Sequence, residues 1–268
     1  MGVFKKNMKH LNYIFVGGKE LGYGCLNYLL KKKIKPLYVV CNKDDNGRDN
    51  IFNRSLLKLS KKNRLKITKL KKLKKLLNKK KIKLDIIFCL GSTQILPIEL
   101  ISYPKMGVLN IHPSLLPKYR GRYSLVHAIF NGEKLTGITT HWLGKKIDSG
   151  RVISQRKIRI LNHDTAETLY KKFTKVSLEE FKKIFKIILK NKKILTYRLK
   201  TQNLKYKNKN FPNNGEINWS WNGKKIYNFL RSMIHEPFPP PEIKIGNKAY
   251  YFVSKNLISS KKIINSPK

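Results

Sequence analysis

The segment that decides the fold is Gly107-Val108-Leu109-Asn110-Ile111-His112-Pro113-Ser114-Leu115-Leu116-Pro117. It begins as an apolar run typical of a buried strand and continues as a loop that contains two prolines. Ligands of open α/β sheets bind beyond the carboxyl ends of the strands. Asn110 and His112 are two residues apart, so on a strand both side chains face the same side. The segment therefore predicts a polar site at the end of a buried strand.

The pairing of an amide with an imidazole indicates a type of chemistry. An amide can donate hydrogen bonds to a developing oxyanion, and an imidazole can move protons, which are the two needs of acyl transfer. Each residue also has an ordinary structural explanation. His112 can be a hydrogen-bonded histidine beside a turn, and Asn110 can serve a turn or a cap. On the residues alone, both interpretations stay open.

Outward from this segment, strand-like and helical patterns alternate along the chain. Such alternation predicts an α/β fold, a Rossmann-like open parallel sheet with helices on both faces. The expected strands cover residues 11–16, 37–40, 65–67, 84–90, 107–111 and 152–155. The expected helices cover residues 21–30, 52–59, 70–83 and 164–188.

The pattern changes towards the C-terminus. Residues 191–214 are polar and rich in Lys and Asn, which predicts a linker. Residues 215–268 carry Trp219, Trp221, Tyr227 and a proline-rich stretch, and predict a small, mainly-β domain. The sequence therefore predicts a catalytic domain over residues 1–190, a linker, and a small C-terminal domain.

The formal net charge of +44 arises from 59 Lys and Arg against 15 Asp and Glu. One explanation is a polyanion partner such as RNA, since basic surfaces bind phosphates. The other is compositional drift, which the even spread of the excess and its dominance by Lys favour. In both cases the positive field would attract an anionic substrate.

Three cysteines, Cys25, Cys41 and Cys89, lie far apart in apolar surroundings. Their spacing matches neither a zinc site nor a disulfide framework, so we expect small buried hydrophobes and no metal. The sequence contains neither an apolar run that could span a membrane nor a signal peptide. We therefore expect a cytoplasmic protein without a membrane partner.

A second polar segment, Leu143-Gly144-Lys145-Lys146-Ile147-Asp148-Ser149-Gly150, follows a strand-like stretch. Asp148 lies in a turn between two β-like stretches. One interpretation is plain Asp-Ser-Gly turn chemistry. The functional interpretation is a carboxylate that pairs with the imidazole of His112.

Together the two segments resemble the folate-dependent formyltransferase family. Its hallmark is Asn-x-His followed by Ser-Leu-Leu-Pro and, further on, Asp-x-Gly. The corresponding residues here are Asn110 to His112, Ser114 to Pro117, and Asp148 to Gly150. A weaker resemblance covers residues 11–190 and resumes at 215–221 and 226–231.

The resemblance implies a role for each matching residue. Asn110 would stabilise the tetrahedral oxyanion, and His112 would handle the proton. Asp148 would keep His112 suitably charged and help to take the proton of the amine. The cosubstrate would be 10-formyltetrahydrofolate, with no metal. Its expected binding residues are Leu90, Gly91, Ser92, Ser114, Leu115, Leu116, Pro117, Arg122, Gly144, Lys145, Lys146 and Ile147.

Three classes of amine acceptor occur in this family. Glycinamide ribonucleotide enzymes have a Gly-Ser-Gly-type phosphate loop, which Gly17 to Gly22 match poorly. Methionyl-tRNA formyltransferases usually read Arg-Gly-Ala-Ala-Pro where this chain has Arg120-Gly121-Arg122-Tyr123-Ser124, and we expect residues 215–268 to be short for a tRNA-binding domain. The sequence is most similar to the sugar N-formyltransferases, so a nucleotide-linked amino sugar is the favoured partner.

Other acceptors and functions stay open at this point. Methionyl-tRNA is the first alternative, because the positive charge suits a tRNA partner. Water is another acceptor, although hydrolases of this kind carry an extra N-terminal domain that we do not expect here. A different class of function is a non-catalytic basic homologue that binds RNA or another polyanion. A homodimer is compatible with each of these.

Overall fold

A computed structural model describes residues 11–199, 210–236, 238–245 and 248–251. A six-stranded sheet has the order β2-β1-β3-β4-β5-β6, and a two-stranded sheet pairs β7 with β8. The strands are β1 Tyr13–Gly17, β2 Tyr38–Cys41, β3 Ile86–Leu90, β4 Val108–His112, β5 Leu135–Trp142, β6 Val152–Arg159, β7 Glu242–Ile245 and β8 Lys248–Tyr251. The helices are α1 Lys19–Lys31, α2 Leu56–Lys62, α3 Leu70–Lys79, α4 Ile98–Ile101, α5 Ser124–Phe130, α6 Ala166–Leu189 and α7 Gly223–Met233, with a 3₁₀ turn at Pro212–Gly215.

The predicted α/β class with a Rossmann-like open sheet is confirmed, and the structure adds an antiparallel strand, β5, that the sequence pattern did not indicate. Strands β1 to β4 are parallel, whereas β5 runs antiparallel to β4. His112 at the end of β4 is paired with Thr139 in the middle of β5. The chain therefore enters β5 at the end of the sheet where β4 ends. A parallel β5 would need a crossover connection back to the opposite end of the strands.

One face of the sheet is covered by α3 and α4. Ile14, Ile87 and Val108 point to this face and pack in one buried cluster with Leu73 and Leu77 of α3. The leucines recur at helical spacing, so the lysines between them stay in solvent. Burial of such side chains contributes about 1.5–3 kcal/mol each.

The opposite face is built from aromatic rings. Phe88 of β3 lies with its ring centroid 5.3 Å from that of Phe181 and 6.1 Å from that of Phe185, both on α6. Tyr13 of β1 also contacts Phe88, at 5.3 Å. Helices thus cover both faces of the sheet, as the sequence predicts. This packing fixes β3 and β4, whose carboxyl ends carry the candidate site.

The contacts divide the chain into two compact units built from alternating segments. Among the described residues, one unit contains 11–112, 139–155 and 174–199, and the other contains 113–138, 156–173 and the described residues from 210 onwards. The end of β4, the start of the β5–β6 loop and Asp148 all belong to the first unit. The domain boundaries expected near residues 190 and 214 stay predictions.

The second unit has its own aromatic cluster. Phe130 of α5 lies 5.2 Å from Trp221 and 6.1 Å from Phe229, measured between ring centroids. Trp219 and Tyr227 are largely exposed. The described part of the C-terminal region contains the β7–β8 sheet together with α7. The predicted small sheet near the C-terminus is therefore present.

Two predicted features are only partly described. Residues 200–209 of the expected linker lie outside the described residues. The strand expected at residues 65–67 is reduced to a single bridge between Ile67 and Val39. Among the helices that the structure describes, none is both long and apolar enough to cross a membrane.

Candidate active site

The end of β4 brings two of the predicted catalytic residues together. His112 is 4% exposed, and its Nδ1 atom lies 3.4 Å from Oδ1 of Asp148, whose side chain is 12% exposed. The contact joins a strand end to the loop between β5 and β6. An imidazole beside a carboxylate can hold a positive charge, which suits a proton-handling group.

Asn110 lies on the same strand and contacts a residue that the sequence analysis did not assign. Its Nδ2 atom is 3.1 Å from Nε2 of His141 on β5. The two residues are directly paired in the antiparallel register, so their side chains share one face of the sheet. The sequence shows His141 as a histidine in a strand-like stretch. Only the pairing of β4 with β5 shows that this histidine contacts Asn110.

His141 is fully buried, and this determines its charge state. Burial, with a smaller contribution from the nearby His112, lowers the pKa of His141 from 6.5 to about 4. Asp148 and the backbone of Trp142 and Ser149 act in the opposite direction on the same pKa. The imidazole of His141 is therefore neutral at neutral pH. Its Nδ1 atom lies 3.2 Å from the carbonyl oxygen of Trp142.

The loop that carries Asp148 is held by its own short hydrogen bonds. The hydroxyl of Ser149 donates to the carbonyl of Lys146 at 2.6 Å and accepts from the amide N–H of Lys146 at 3.1 Å. The amide of Gly144 donates to the carbonyl of Ser149 at 2.7 Å. Asp148 itself has a positive φ of 46°, a conformation that is uncommon outside glycine. The conformation of the loop thus sets the position of the Asp148 carboxylate.

The expected folate residues of this loop are accessible. Lys145, Lys146 and Ile147 are exposed, and Gly144 is half-buried. They follow directly on β5 and precede Asp148. Backbone groups of such a loop can hydrogen-bond a planar heterocycle.

The expected folate residues at the end of β3 lie beside β4 in the sheet. Cys89 is paired with Asn110, so Leu90 at the end of β3 and the following Gly91 and Ser92 lie beside the strand that carries the candidate catalytic residues. Gly91 has a φ of 63°, and a Cβ there would lie 2.2 Å from the carbonyl oxygen of Gly18. Only glycine fits this close approach between the β1 and β3 ends.

The remaining expected folate residues belong to the second unit. The hydroxyl of Ser114 is buried and donates to the carbonyl of Lys118 at 2.7 Å, which closes the loop on itself. Leu116 is buried, and Arg122 is exposed. Leu115 and Pro117 are half-buried. Their contact with folate stays a prediction.

The turn from β1 into α1 is already occupied by protein groups. The side-chain oxygen of Asn53 accepts a hydrogen bond from the amide of Glu20 at 3.0 Å. The Glu20 carboxylate pairs with Arg54, and Lys19 pairs with Asp44 at 2.6 Å. A helix N-terminus binds phosphate through free N–H groups. A carboxylate and an amide oxygen placed there disfavour such binding.

No metal centre is apparent in the part of the chain that the structure describes. Within residues 11–199, 210–236, 238–245 and 248–251, no group of three or more His, Cys, Asp or Glu side chains could hold a metal ion. Cys25 and Cys89 are buried and Cys41 is half-buried, all as free thiols. Burial raises the pKa of Cys89 to about 12.

Comparison with known proteins identifies the family to which this arrangement belongs. Residues 12–184 match the family described as formyl transferase. The chain belongs to this family. The predicted resemblance is therefore confirmed, and the motif residues at 110–117 and 148–150 lie inside the matched region.

Several relatives resemble this formyl transferase family member closely. It is 37% identical over 247 residues to the bifunctional polymyxin resistance protein ArnA of Wigglesworthia glossinidia brevipalpis, covering 91% of this chain and 36% of the relative. It is 40% identical over 139 residues to the methionyl-tRNA formyltransferase of Thermodesulfovibrio yellowstonii, covering 52% of this chain and 44% of the relative. The chain thus spans less than half the length of either protein.

A solved structure resembles the formyl transferase fold of this chain over most of its length. It is the crystal structure of a sugar 3N-formyl transferase in the presence of dTDP and 5-N-formyl-THF. The TM-score is 0.71 at 28% identity, and the match covers 90% of this chain and 84% of the other.

Proposed function

We propose that this chain transfers a formyl group from 10-formyltetrahydrofolate to the primary amine of a nucleotide-linked amino sugar. The observation that carries the proposal is the 3.4 Å contact between His112 and Asp148 beside Asn110, in a chain that belongs to the formyl transferase family. The arrangement supplies a hydrogen-bond donor, a proton carrier and a carboxylate at one strand end. These are the groups that acyl transfer to an amine requires.

In this proposal each side chain acts at a defined point of the reaction. The amine nitrogen forms a bond to the formyl carbon, and the carbonyl oxygen becomes an oxyanion to which the Asn110 amide donates. His112, paired with Asp148, carries the proton between the amine and the leaving nitrogen of the folate. The carbon–nitrogen bond to the folate then breaks, which yields the formamide and tetrahydrofolate.

The folate is proposed to lie between the β3 end at Leu90 to Ser92 and the loop at Gly144 to Ile147. Both stretches belong to the first unit and flank Asn110. The folate contacts expected from the sequence for Ser114 to Pro117 and Arg122, which belong to the second unit, stay predictions. A crystal soaked with a 5-formyl analogue tests this placement directly, and pterin density in the C-terminal region would contradict it.

Two observations favour a sugar acceptor. The structural likeness to the sugar 3N-formyl transferase covers 90% of this chain at a TM-score of 0.71. The α1 N-terminus, occupied by Asn53 and Glu20, disfavours a phosphate at that turn and hence an acceptor such as glycinamide ribonucleotide. The nucleotide and the position of the amine stay open.

Methionyl-tRNA is the second candidate acceptor. The 40% identity to a methionyl-tRNA formyltransferase over 139 residues favours it, and so does the net charge of +44. A polyanion such as tRNA gains affinity from every phosphate that a basic surface neutralises. The positive charge attracts any anionic substrate, however, and therefore also suits a nucleotide sugar.

The experiment is a formyl-transfer assay on a panel of nucleotide-linked amino sugars and initiator methionyl-tRNA. Asp148→Asn serves as the control, because it removes the carboxylate charge while keeping the side-chain size. We expect the wild type to formylate at least one amino sugar faster than Asp148→Asn does. Formylation of tRNA alone would replace the sugar proposal, and equal rates for both proteins would contradict the catalytic assignment.

A further inference from the structure

The amide of Asn110 can act on an oxyanion only in one orientation. Its nitrogen donates two hydrogen bonds, whereas its oxygen only accepts and would repel negative charge. The proposed role of Asn110 therefore requires a neighbour that holds the amide with its nitrogen correctly placed. In the structure, Nε2 of His141 lies 3.1 Å from Nδ2 of Asn110.

The surroundings of His141 determine which of its ring nitrogens carries the hydrogen. The Nδ1 atom faces the carbonyl oxygen of Trp142 at 3.2 Å, and a carbonyl can only accept. In a neutral imidazole one nitrogen donates and the other accepts. With the hydrogen on Nδ1, the Nε2 atom presents a lone pair to Asn110.

The charge state of His141 follows from its burial. His141 is fully buried and close to His112, and both features lower its pKa, so a positive charge on His141 is unfavourable. A charged His141 would donate from Nε2 and would therefore attract the amide oxygen, which reverses Asn110.

We propose that His141 is a positioning residue that accepts a hydrogen bond from the Asn110 amide and leaves the second amide hydrogen for the oxyanion. This inference rests on the proposed formyl transfer. His141 does not touch the reacting atoms in this view and acts through Asn110 alone. Its position on β5, directly paired with Asn110, makes the contact part of the sheet.

The tautomer is measured without any acceptor or turnover. In the full chain labelled with ¹⁵N-histidine, long-range ¹H–¹⁵N spectra distinguish the protonated from the unprotonated ring nitrogen of each imidazole. His141→Gln assigns the resonances of His141 among the six histidines. We expect a neutral His141 protonated on Nδ1 at pH 7. A ring that is protonated on Nε2, or on both nitrogens, would overturn the proposal.

A double-mutant cycle then tests whether His141 acts through Asn110. We expect His141→Phe to lower kcat about tenfold or more in the wild type but less than about threefold in the Asn110→Ala background, because residues that act as one unit are not additive. The KM for the folate should change less than kcat. Equal factors in both backgrounds would indicate a merely structural role and would refute the inference.

A conservative variant keeps the test decisive if His141→Phe does not fold. Gln offers an amide oxygen that can accept from Asn110, so His141→Gln should retain more of kcat than His141→Phe or His141→Leu. Equal losses in Gln and Leu variants would refute the role of the acceptor. If the wild type formylates no acceptor, the proposed function fails while the tautomer measurement still decides the hydrogen bond.

Discussion

The Nδ1 atom of His112 lies 3.4 Å from Oδ1 of Asp148, although helix α5, strand β5 and three loops separate the residues in sequence. His112 ends β4, and Asp148 lies in the loop after β5. Their side chains are nearly buried, so a change in either charge is not screened by bulk water. This contact is the basis of the first prediction.

Removal of any member of the candidate catalytic set should abolish most of the turnover. We expect Asn110→Ala, His112→Ala and Asp148→Ala each to lower kcat by about a hundredfold or more, the effect of losing an oxyanion donor or a proton carrier. His163 is exposed, so His163→Ala is the matched control and should retain wild-type turnover. Near-normal kcat in a folded variant would remove that residue from the mechanism.

The buried His141 should make the fold sensitive to acid. Its pKa is lowered from 6.5 to about 4, so between these values the unfolded chain binds a proton that the folded chain does not. The stability contribution is complete above pH 6.5 and is lost as the pH falls towards 4. Between pH 7 and pH 4.5, the free energy of unfolding should fall by about 2–3 kcal/mol more in the wild type than in His141→Phe.

Urea unfolding of both proteins at the two pH values measures this difference. The comparison cancels the carboxylates and histidines that lie far from His141, because they titrate alike in both proteins. The same pH dependence in wild type and His141→Phe would show that His141 titrates normally in the folded chain.

The loop that carries Asp148 should not tolerate a side chain at Gly150. Gly150 has a φ of 126°, and a Cβ there would lie 2.0 Å from the carbonyl oxygen of Trp142. Gly150→Ala must therefore move the backbone next to Asp148, and we expect kcat to fall about tenfold or more since small misplacements of catalytic groups are costly. The assay is turnover together with thermal unfolding of the same samples.

Gly223 offers the matched control for this substitution. It is the first residue of α7, and a Cβ there meets no atom within 4 Å. Gly223→Ala should retain activity and stability. Wild-type turnover in Gly150→Ala would mean that the loop can relax without moving the carboxylate.

Salt should distinguish the two candidate acceptors. The logarithm of affinity falls with the logarithm of salt concentration in proportion to the phosphates neutralised, and a nucleotide sugar presents far fewer phosphates than a tRNA. If the acceptor is a sugar, its KM should rise by roughly a few-fold between low and physiological salt. A tRNA acceptor that makes several phosphate contacts should lose about a hundredfold or more in affinity.

Measurement of acceptor KM over a salt series checks this expectation. KM for the folate in the same series is the control, because it reports general salt effects on the enzyme. Low-micromolar formylation of tRNA with a steep salt slope, and no reaction with amino sugars, would show that the charge of +44 was the better indicator.

The sequence by itself determined the fold class and identified the candidate catalytic residues. Apolar runs predict β1, β2, β3 and β4, because a buried strand must be apolar on both faces. Leucines at helical spacing predict α3. Asn110 and His112 are identified by their spacing on a strand end, which is a local property. Asp148 is identified by its turn and by the motif.

The tertiary structure alone decided which residues surround these groups. The antiparallel direction of β5 depends on where the chain re-enters the sheet, and no local pattern encodes it. That direction pairs Asn110 with His141, and burial then makes His141 neutral. The positive φ of Asp148 likewise depends on hydrogen bonds within its loop. Local sequence sets periodicity and polarity, whereas strand register, burial and charge state arise only from contacts between distant segments.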